Sequence, residues 1–266
     1  EADFTFVATD GLTLYGGILG THATLFPGLR ELPVSLARGA SVETFFHHLF
    51  GNALDPAKGR QMPGGFTARS LRIASASAPI GTQLTHAVGL AWAARIRKDD
   101  VVALAHFGER ATSSGPFHDA MNFAGVFKTP AVLLCRNTGW PQASSSETLT
   151  DTFAEKGIAY GVPGVRCDGN DPLAVLRVVE HAVARAARGE GATLIEALAH
   201  PLDGPEGERL DPLVRLRNYL GLRGRWSDEA QAELDQSLRH EIEAAVLAAS
   251  AAPAPPRTTM FDDVFA

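Results

Sequence analysis

Val101-Val102-Ala103-Leu104-Ala105-His106-Phe107 is a short apolar run closed by Gly108-Glu109-Arg110. Its length, its Val and Leu content and the Gly that ends it read as a buried strand. Ala131 to Arg136, Gly164 to Asp168 and Thr193 to Ala199 repeat the pattern, and segments with helical spacing lie between them. Apolar strands alternating with helices predict an α/β fold, a doubly wound parallel sheet covered on both faces. The helix starts carry physical signals: Pro116 follows Gly115, and Pro172 follows the capping candidates Asn170 and Asp171. In the second of these helices Leu173, Leu176, Val179, His181 and Val183 alternate with Arg177, Glu180 and Arg185, which gives a buried and a wet face. Gly189 and Gly191 end it.

Away from this centre the pattern changes. Residues 1–40 carry many glycines and weak periodicity, so the first helix is expected at about Ser41 to Phe50. Ser227 caps a long Glu- and Ala-rich helix to about Ala249, and the proline-rich stretch Ala251 to Pro256 cannot continue it. The last residues, Met260 to Ala266, are apolar and acidic by turns, suited to folding back on the domain or docking on a partner. Three segments are expected: 1–50, partly helical; 51–225, the α/β domain; and 226–266, a helix and tail.

A chain of 266 residues with 45% hydrophobic content can bury a large core. Its net charge of −6 provides no basic field for nucleic acid. No stretch is apolar for the ~20 residues that a bilayer crossing needs, so no membrane association is expected. Cys135 and Cys167 lie in strand-like runs without metal-site or redox spacing and read as reduced core residues of a cytoplasmic protein. The chain opens on Glu1 rather than Met, as a processed or trimmed product would.

Gly59-Arg60-Gln61-Met62-Pro63 resembles a signature of the alpha subunits of the thiamine-diphosphate-dependent pyruvate and branched-chain 2-oxo acid dehydrogenases. The likeness continues in order through Ser77 to Gln83, Ala120 to Ala124, Cys135 to Trp140, Ala159 to Val165, Val165 to Asp171 and Gly189 to Ala197, and closes on Met260 to Ala266. An ordered series over roughly residues 50–200 is far more specific than any lone motif. It implies a thiamine-diphosphate-binding fold, thiamine diphosphate with magnesium as cofactors, and a beta subunit as partner in an α2β2 assembly that serves a lipoyl-bearing acyltransferase.

In that family the cation joining protein to diphosphate takes hard oxygen ligands from two strand ends. The resemblance carries the metal positions onto Glu109, Thr138 and Trp140. Cofactor contacts fall on Arg30, Ile80, Glu109, Arg110, Ala111 and Asn137, and a potassium turn on Ser77, Pro79, Thr82 and Gln83. Several positions depart from the family pattern. Thr138 replaces an Asn, Arg110 a Gly, Leu29 a Tyr, Ala78 a Ser and Gln142 an apolar residue, while the segment after Ala199 lacks the family's histidines. Arg110 would strain a turn that required positive φ, but could also reach a phosphate. His200 is displaced from the family positions, so no catalytic residue is assigned. The expected function is an alpha-type subunit degenerate in its thiamine diphosphate site, a pseudoenzyme acting mainly as partner of a beta subunit. The alternative is an active alpha subunit that decarboxylates a 2-oxo acid and acylates a lipoyl domain.

Residue-level alternatives are weaker. His47 and His48, beside Phe45, Phe46 and Phe50, read as partly buried helix residues. His118 and Asp119 after Ser113 and Ser114 evoke a hydrolase, but adjacent helix positions diverge and no nucleophile elbow precedes them. No glycine fingerprint of a nucleotide dehydrogenase opens a helix.

Overall fold

The computed structural model describes residues 4–9, 13–18, 23–28, 31, 34–76, 78–138, 148–200 and 211–262, with side chains from residue 23 onward. Strands β1 (Phe4–Thr9) and β2 (Thr13–Ile18) pair antiparallel as a hairpin in the register Phe4 with Ile18. The main sheet is parallel throughout, in the order β3 (Ala23–Phe26), β4 (Val102–Gly108), β5 (Ala131–Asn137), β7 (Thr193–Leu198), β6 (Gly164–Asp168). The expected strand positions hold to within a residue at each end. β3 and the hairpin lie in the stretch whose periodicity was too weak to read. A four-residue strand such as β3 offers only two residues per face, too few for a pattern.

Side chains alternate across β4 and β5 because successive Cβ atoms point to opposite faces. Ala103, Ala105, Phe107, Ala131, Leu133 and Cys135 meet Leu84, Ala87, Val88 and Ala91 of α3 (Thr82–Arg97) and Phe117, Ala120, Met121 and Ala124 of α4 (Gly115–Val126). Leu104, Val132 and Leu134 meet Val175, Val179, Ala182 and Ala186 of α5 (Pro172–Ala187) on the other face. Helices on both faces of a parallel sheet are the doubly wound α/β architecture. In α5 the buried stripe is Val175, Leu176, Val179, Ala182 and Ala186, so His181, expected to alternate with the charged face, lies in solvent. Asp171 caps α5 by accepting from the amides of Leu173 and Ala174, with Pro172 at the first position.

The short α1 (Val34–Ala37) precedes α2 (Val42–Phe50), which Ser41 caps from the Thr44 amide. His47 and His48 of α2 are buried, and His48 Nδ1 lies 3.0 Å from Asp55 Oδ1. Pro212–Leu222 forms α6, a helix with no sequence expectation, and Asp228–Ala251 forms α7, capped by Ser227 as expected. The end of α7 and the segment after it fold back on the chain itself. Asn52 Nδ2 donates to Ala249 O at 2.9 Å, Ala53 N to Pro253 O at 2.8 Å and Arg60 to Asp262 O at 2.8 Å, while Lys58 pairs with Asp262 at 3.0 Å. Gly59, at φ +71°, sits where a Cβ would meet Gly51 O at 2.8 Å, so the Gly59–Pro63 signature is partly a packing requirement. Ala120 and Ala124 are buried inside the chain rather than offered to a neighbour, which leaves Phe123 and Val126 on the outer face of α4.

Candidate functional site

Ligand sites in open parallel sheets form at the carboxyl ends of strands. β4 ends at Gly108 and runs into a short 3-10 helix, Glu109–Ser113; β5 ends at Asn137 and is followed by Thr138. The two strands are hydrogen-bonded neighbours, so their ends project together. Thr138 Oγ1 donates to Glu109 Oε1 at 2.8 Å. Glu109 is 8% exposed and Thr138 half-buried, so both side chains are largely withdrawn from bulk water.

Arg110 is exposed and does not have a left-handed backbone. Its replacement of the expected glycine therefore does not strain this turn. Gly108 stays open, with no atom of the described residues within 4 Å of where a Cβ would stand, so backbone is accessible beside the carboxylate. Ala111 is buried beneath the turn.

Asn137 turns inward. Its Nδ2 donates to Glu196 Oε1 of β7 at 2.7 Å, and its carbonyl accepts from the Ala199 amide at 2.7 Å. The other oxygen of Glu196, itself 1% exposed, accepts from the Ala154 amide at 3.0 Å. Asn137 thus fixes the backbone that presents Thr138, and its amide nitrogen is directed away from the crevice.

The turn before α3 is built from Ala78, Pro79 and Ile80, all exposed, and Gly81 at φ +82°. Thr82 Oγ1 donates to Pro79 O at 2.9 Å. Gln83 Nε2 donates to His106 O of β4 at 3.0 Å, while its Oε1 is buried without a hydrogen-bond partner among the described residues. The Gln83 carbonyl oxygen, the Pro79 carbonyl and the Thr82 hydroxyl are oxygen donors of the type a hard cation takes. Arg30, Ser77 and Trp140, together with Leu29, Gln142 and the segment after His200, lie outside the described residues.

The divalent-cation expectation can be tested on the Glu109 and Thr138 pair. Ligand oxygens in adjacent positions of a magnesium octahedron with ~2.1 Å bonds stand about 3 Å apart. The observed 2.8 Å is close to that edge. The donor set fits in kind, one carboxylate and one neutral hydroxyl, but is weak in charge. Among the described residues no group of three His, Cys, Asp or Glu side chains gathers around a common point.

Sequence reasoning did not find three residues behind this site. Thr112 Oγ1 donates to Glu109 O at 2.7 Å, Lys156 Nζ donates to Thr112 at 3.0 and 3.1 Å, and Glu196 holds Asn137. Glu196 lies in the Gly189 to Ala197 stretch but was given no role there, and Thr112 and Lys156 lie in no motif, because such a residue in a short run is ordinary until the fold brings it to the strand ends. Cys135 is fully buried, and burial with the charges of Glu109 and Glu196 pushes its thiol well above the usual range. Burial and Asp168 push the Cys167 thiol up to about 11. Both cysteines are free and stay as thiols at neutral pH, which makes them poor nucleophiles.

Residues 19–204 match the family model of the dehydrogenase E1 component. The chain belongs to the dehydrogenase E1 component family. It is 36% identical to the 2-oxoisovalerate dehydrogenase subunit alpha of Bacillus subtilis over 241 residues, 84% of this chain and 72% of that one. It is 35% identical to the mitochondrial 2-oxoisovalerate dehydrogenase subunit alpha 2 of Arabidopsis thaliana over 260 residues, 91% and 55% of the two chains. It is 39% identical to the 3-methyl-2-oxobutanoate dehydrogenase subunit alpha of Mycobacterium tuberculosis over 234 residues, 81% and 61%. The chain thus spans between about half and three quarters of the length of these relatives, and it is an E1 chain of alpha type. E1 dehydrogenases depend in general on thiamine diphosphate, and their alpha subunits generally pair with beta subunits. Among the described residues no helix is long and apolar enough to cross a membrane.

Proposed function

We propose that this E1 chain is an alpha-type subunit whose thiamine diphosphate site is weakened, and that it serves mainly as the partner of a beta subunit in an α2β2 assembly. The observation that carries this reading is the pairing of Glu109 with Thr138. A cation there gains one anionic oxygen and one neutral hydroxyl, where the family pattern supplies an amide carbonyl. A hydroxyl is a weaker donor to a hard cation than a carbonyl oxygen, so the cation, and the diphosphate it neutralises, binds less tightly. Glu109, Thr138 and the Trp140 carbonyl would hold magnesium. Arg30 and Arg110 would meet phosphate as charged forks. Ile80, Ala111 and the backbone around Asn137 would line the cofactor, and the Ser77 to Gln83 turn would take potassium. When bound, thiamine diphosphate supplies the electron sink for losing carbon dioxide from a 2-oxo acid. This chain's residues would orient it and exclude water.

A second reading, a working alpha subunit that acylates a lipoyl domain, is favoured by the meeting of the Glu109 carboxylate with the Thr138 hydroxyl at adjacent strand ends and by the unstrained backbone at Arg110. A branched 2-oxo acid such as 2-oxoisovalerate is then the substrate to test first, as three relatives are named for that acid or its synonym. Titrating thiamine diphosphate and magnesium against the chain, alone and with a co-expressed beta chain, separates the readings. Weak binding without turnover is expected. Tight binding with decarboxylation overturns the weakened-site reading. We place the chain in the cytoplasm.

A further inference from the structure

We infer that Lys156 is a positioning residue, whose ammonium holds the Glu109–Ser113 turn so that the Glu109 carboxylate faces Thr138. The inference rests on the reading of Glu109 and Thr138 as the cation side of the site. Lys156 projects from the 3-10 helix Ala154–Tyr160, remote in sequence from the turn it reaches. Its Nζ donates to Thr112 O at 3.1 Å and to Thr112 Oγ1 at 3.0 Å. The Thr112 hydroxyl, fully buried, passes the restraint on by donating its own proton to Glu109 O at 2.7 Å. The ammonium also lies 5.9 Å from the Phe117 ring centre and 5.5 Å from that of Phe153, both rings buried. A cation between aromatic faces gains from their quadrupoles, which offsets part of the loss of water.

A short 3-10 helix is a poor device for holding a ligand to a fixed geometry, because its hydrogen bonds are few and badly aligned. Here the carbonyls of Glu109 and Thr112 are both taken by side chains, and the Ser114 hydroxyl takes that of Ala111 at 2.7 Å. The helix carrying Lys156 is itself tied to the neighbouring strand end. Glu196 accepts from the Ala154 amide with one oxygen and from Asn137, the residue before Thr138, with the other. The Ala154–Tyr160 helix is therefore a strut joined to both halves of the cation pair, through Lys156 to Glu109 and through Glu196 to Thr138. An apolar side chain of the same length would fill the space between Phe117 and Phe153 but would remove the donor to the Thr112 carbonyl and hydroxyl, leaving the hydroxyl only its own bond to Glu109 O. The turn needs the ammonium's donors, not only its bulk.

The test uses the full chain with thiamine diphosphate and Mn2+ as a paramagnetic probe of the cation site, together with amide hydrogen exchange. Lys156→Met is expected to weaken Mn2+ binding by about 10–100-fold, the usual effect of removing a group that orients a metal ligand. Exchange should quicken at residues 109–114 and stay unchanged in α5. Lys156→Arg, which keeps charge and donors, should recover most of the affinity. Should Lys156→Met fail to fold, Thr112→Val deletes only the relaying hydroxyl and should act in the same direction. Unchanged Mn2+ affinity in the variant, when the unmodified chain binds it, overturns the inference. If the unmodified chain binds no Mn2+ but exchange at 109–114 still quickens in the variant, the positioning role stands and the cation reading falls. If neither changes, both fall.

Discussion

Thr138 carries one hydroxyl where the family pattern has an amide, and its proton is already given to Glu109. To ligate a cation, both groups must exchange that hydrogen bond for the metal. Thr138→Asn supplies a carbonyl oxygen instead, so cofactor affinity should rise by about tenfold or more. Because Arg110 has no positive φ, adding Arg110→Gly relieves no strain, and the gain should come almost wholly from Thr138→Asn. Calorimetric titration of the two single variants and the double variant checks this partition. Acyl transfer to a lipoyl domain should not return with affinity, since a missing acid or base typically costs about 10²–10⁴-fold in rate. His106 gives a second residue-scale expectation. Burial, helped by the Arg136 guanidinium, pushes it down to about 4 from an ordinary 6.5. Between those values the unfolded chain takes up the proton and the folded chain does not. Stability therefore falls as pH drops through that window and levels off below it, by at most about 3 kcal/mol from this group. Chemical denaturation from pH 7 to 4 should show a flatter decline in His106→Gln than in the unmodified chain.

At the scale of elements, β4 and β5 were legible as apolar runs, β6 and β7 as shorter runs interrupted by Arg166 and Glu196 but bounded by helices, and two capped helices because Asp171 and Ser227 do the capping the sequence suggests. β3 and α6 were not. β3 is too short to show a period, and α6 leaves Leu213, Tyr219 and Leu222 exposed, so no apolar stripe marks it. Of the candidate site, the pair at the strand ends was readable from motif order. The strut through Lys156 and Glu196 was not, since it joins residues 44 and 42 apart in sequence to their partners. The close fit of that strut makes a prediction of its own. A Cβ on Gly125 of α4 would collide with the Tyr160 carbonyl, and one on Gly157 with the Val162 carbonyl. Gly125 lets the helix Ala154–Tyr160 approach α4 by backbone alone, and Gly157 lets the chain fold back on that helix at Val162. Gly125→Ala should therefore destabilise by about 1–3 kcal/mol, against the usual gain from alanine in a helix. A denaturation midpoint unchanged in Gly125→Ala would show that the strut yields easily.

On the scale of the whole molecule, α7 has more apolar surface than its own chain covers. Ala245 and Ala249 are buried, and the Asn52 amide reaches the Ala249 carbonyl, but Leu234, Leu238 and Ile242, on the same helical face, are 40–45% exposed. The spacing of four, four and three residues to Ala245 keeps them in one stripe. Phe123 and Val126 of α4 add a second exposed group, 44% and 67% exposed, backed by Trp92 stacked on Phe127 at 4.2 Å. Burial of such side chains contributes about 1.5–3 kcal/mol each when complete, so a chain that leaves them in water is less stable alone than in an assembly. The chain is accordingly expected to assemble with a beta subunit, two copies of each. Light scattering on the co-expressed pair should give that stoichiometry, and Leu238→Glu with Ile242→Lys should lower the assembled fraction. Substitutions at exposed positions change a chain's own stability by about 0.5 kcal/mol or less, so thermal unfolding of the isolated variant should match that of the unmodified chain. A stable monomer in the presence of the beta chain would set the partner role aside. Unaltered assembly in the double variant would move the contact away from α7 to another face.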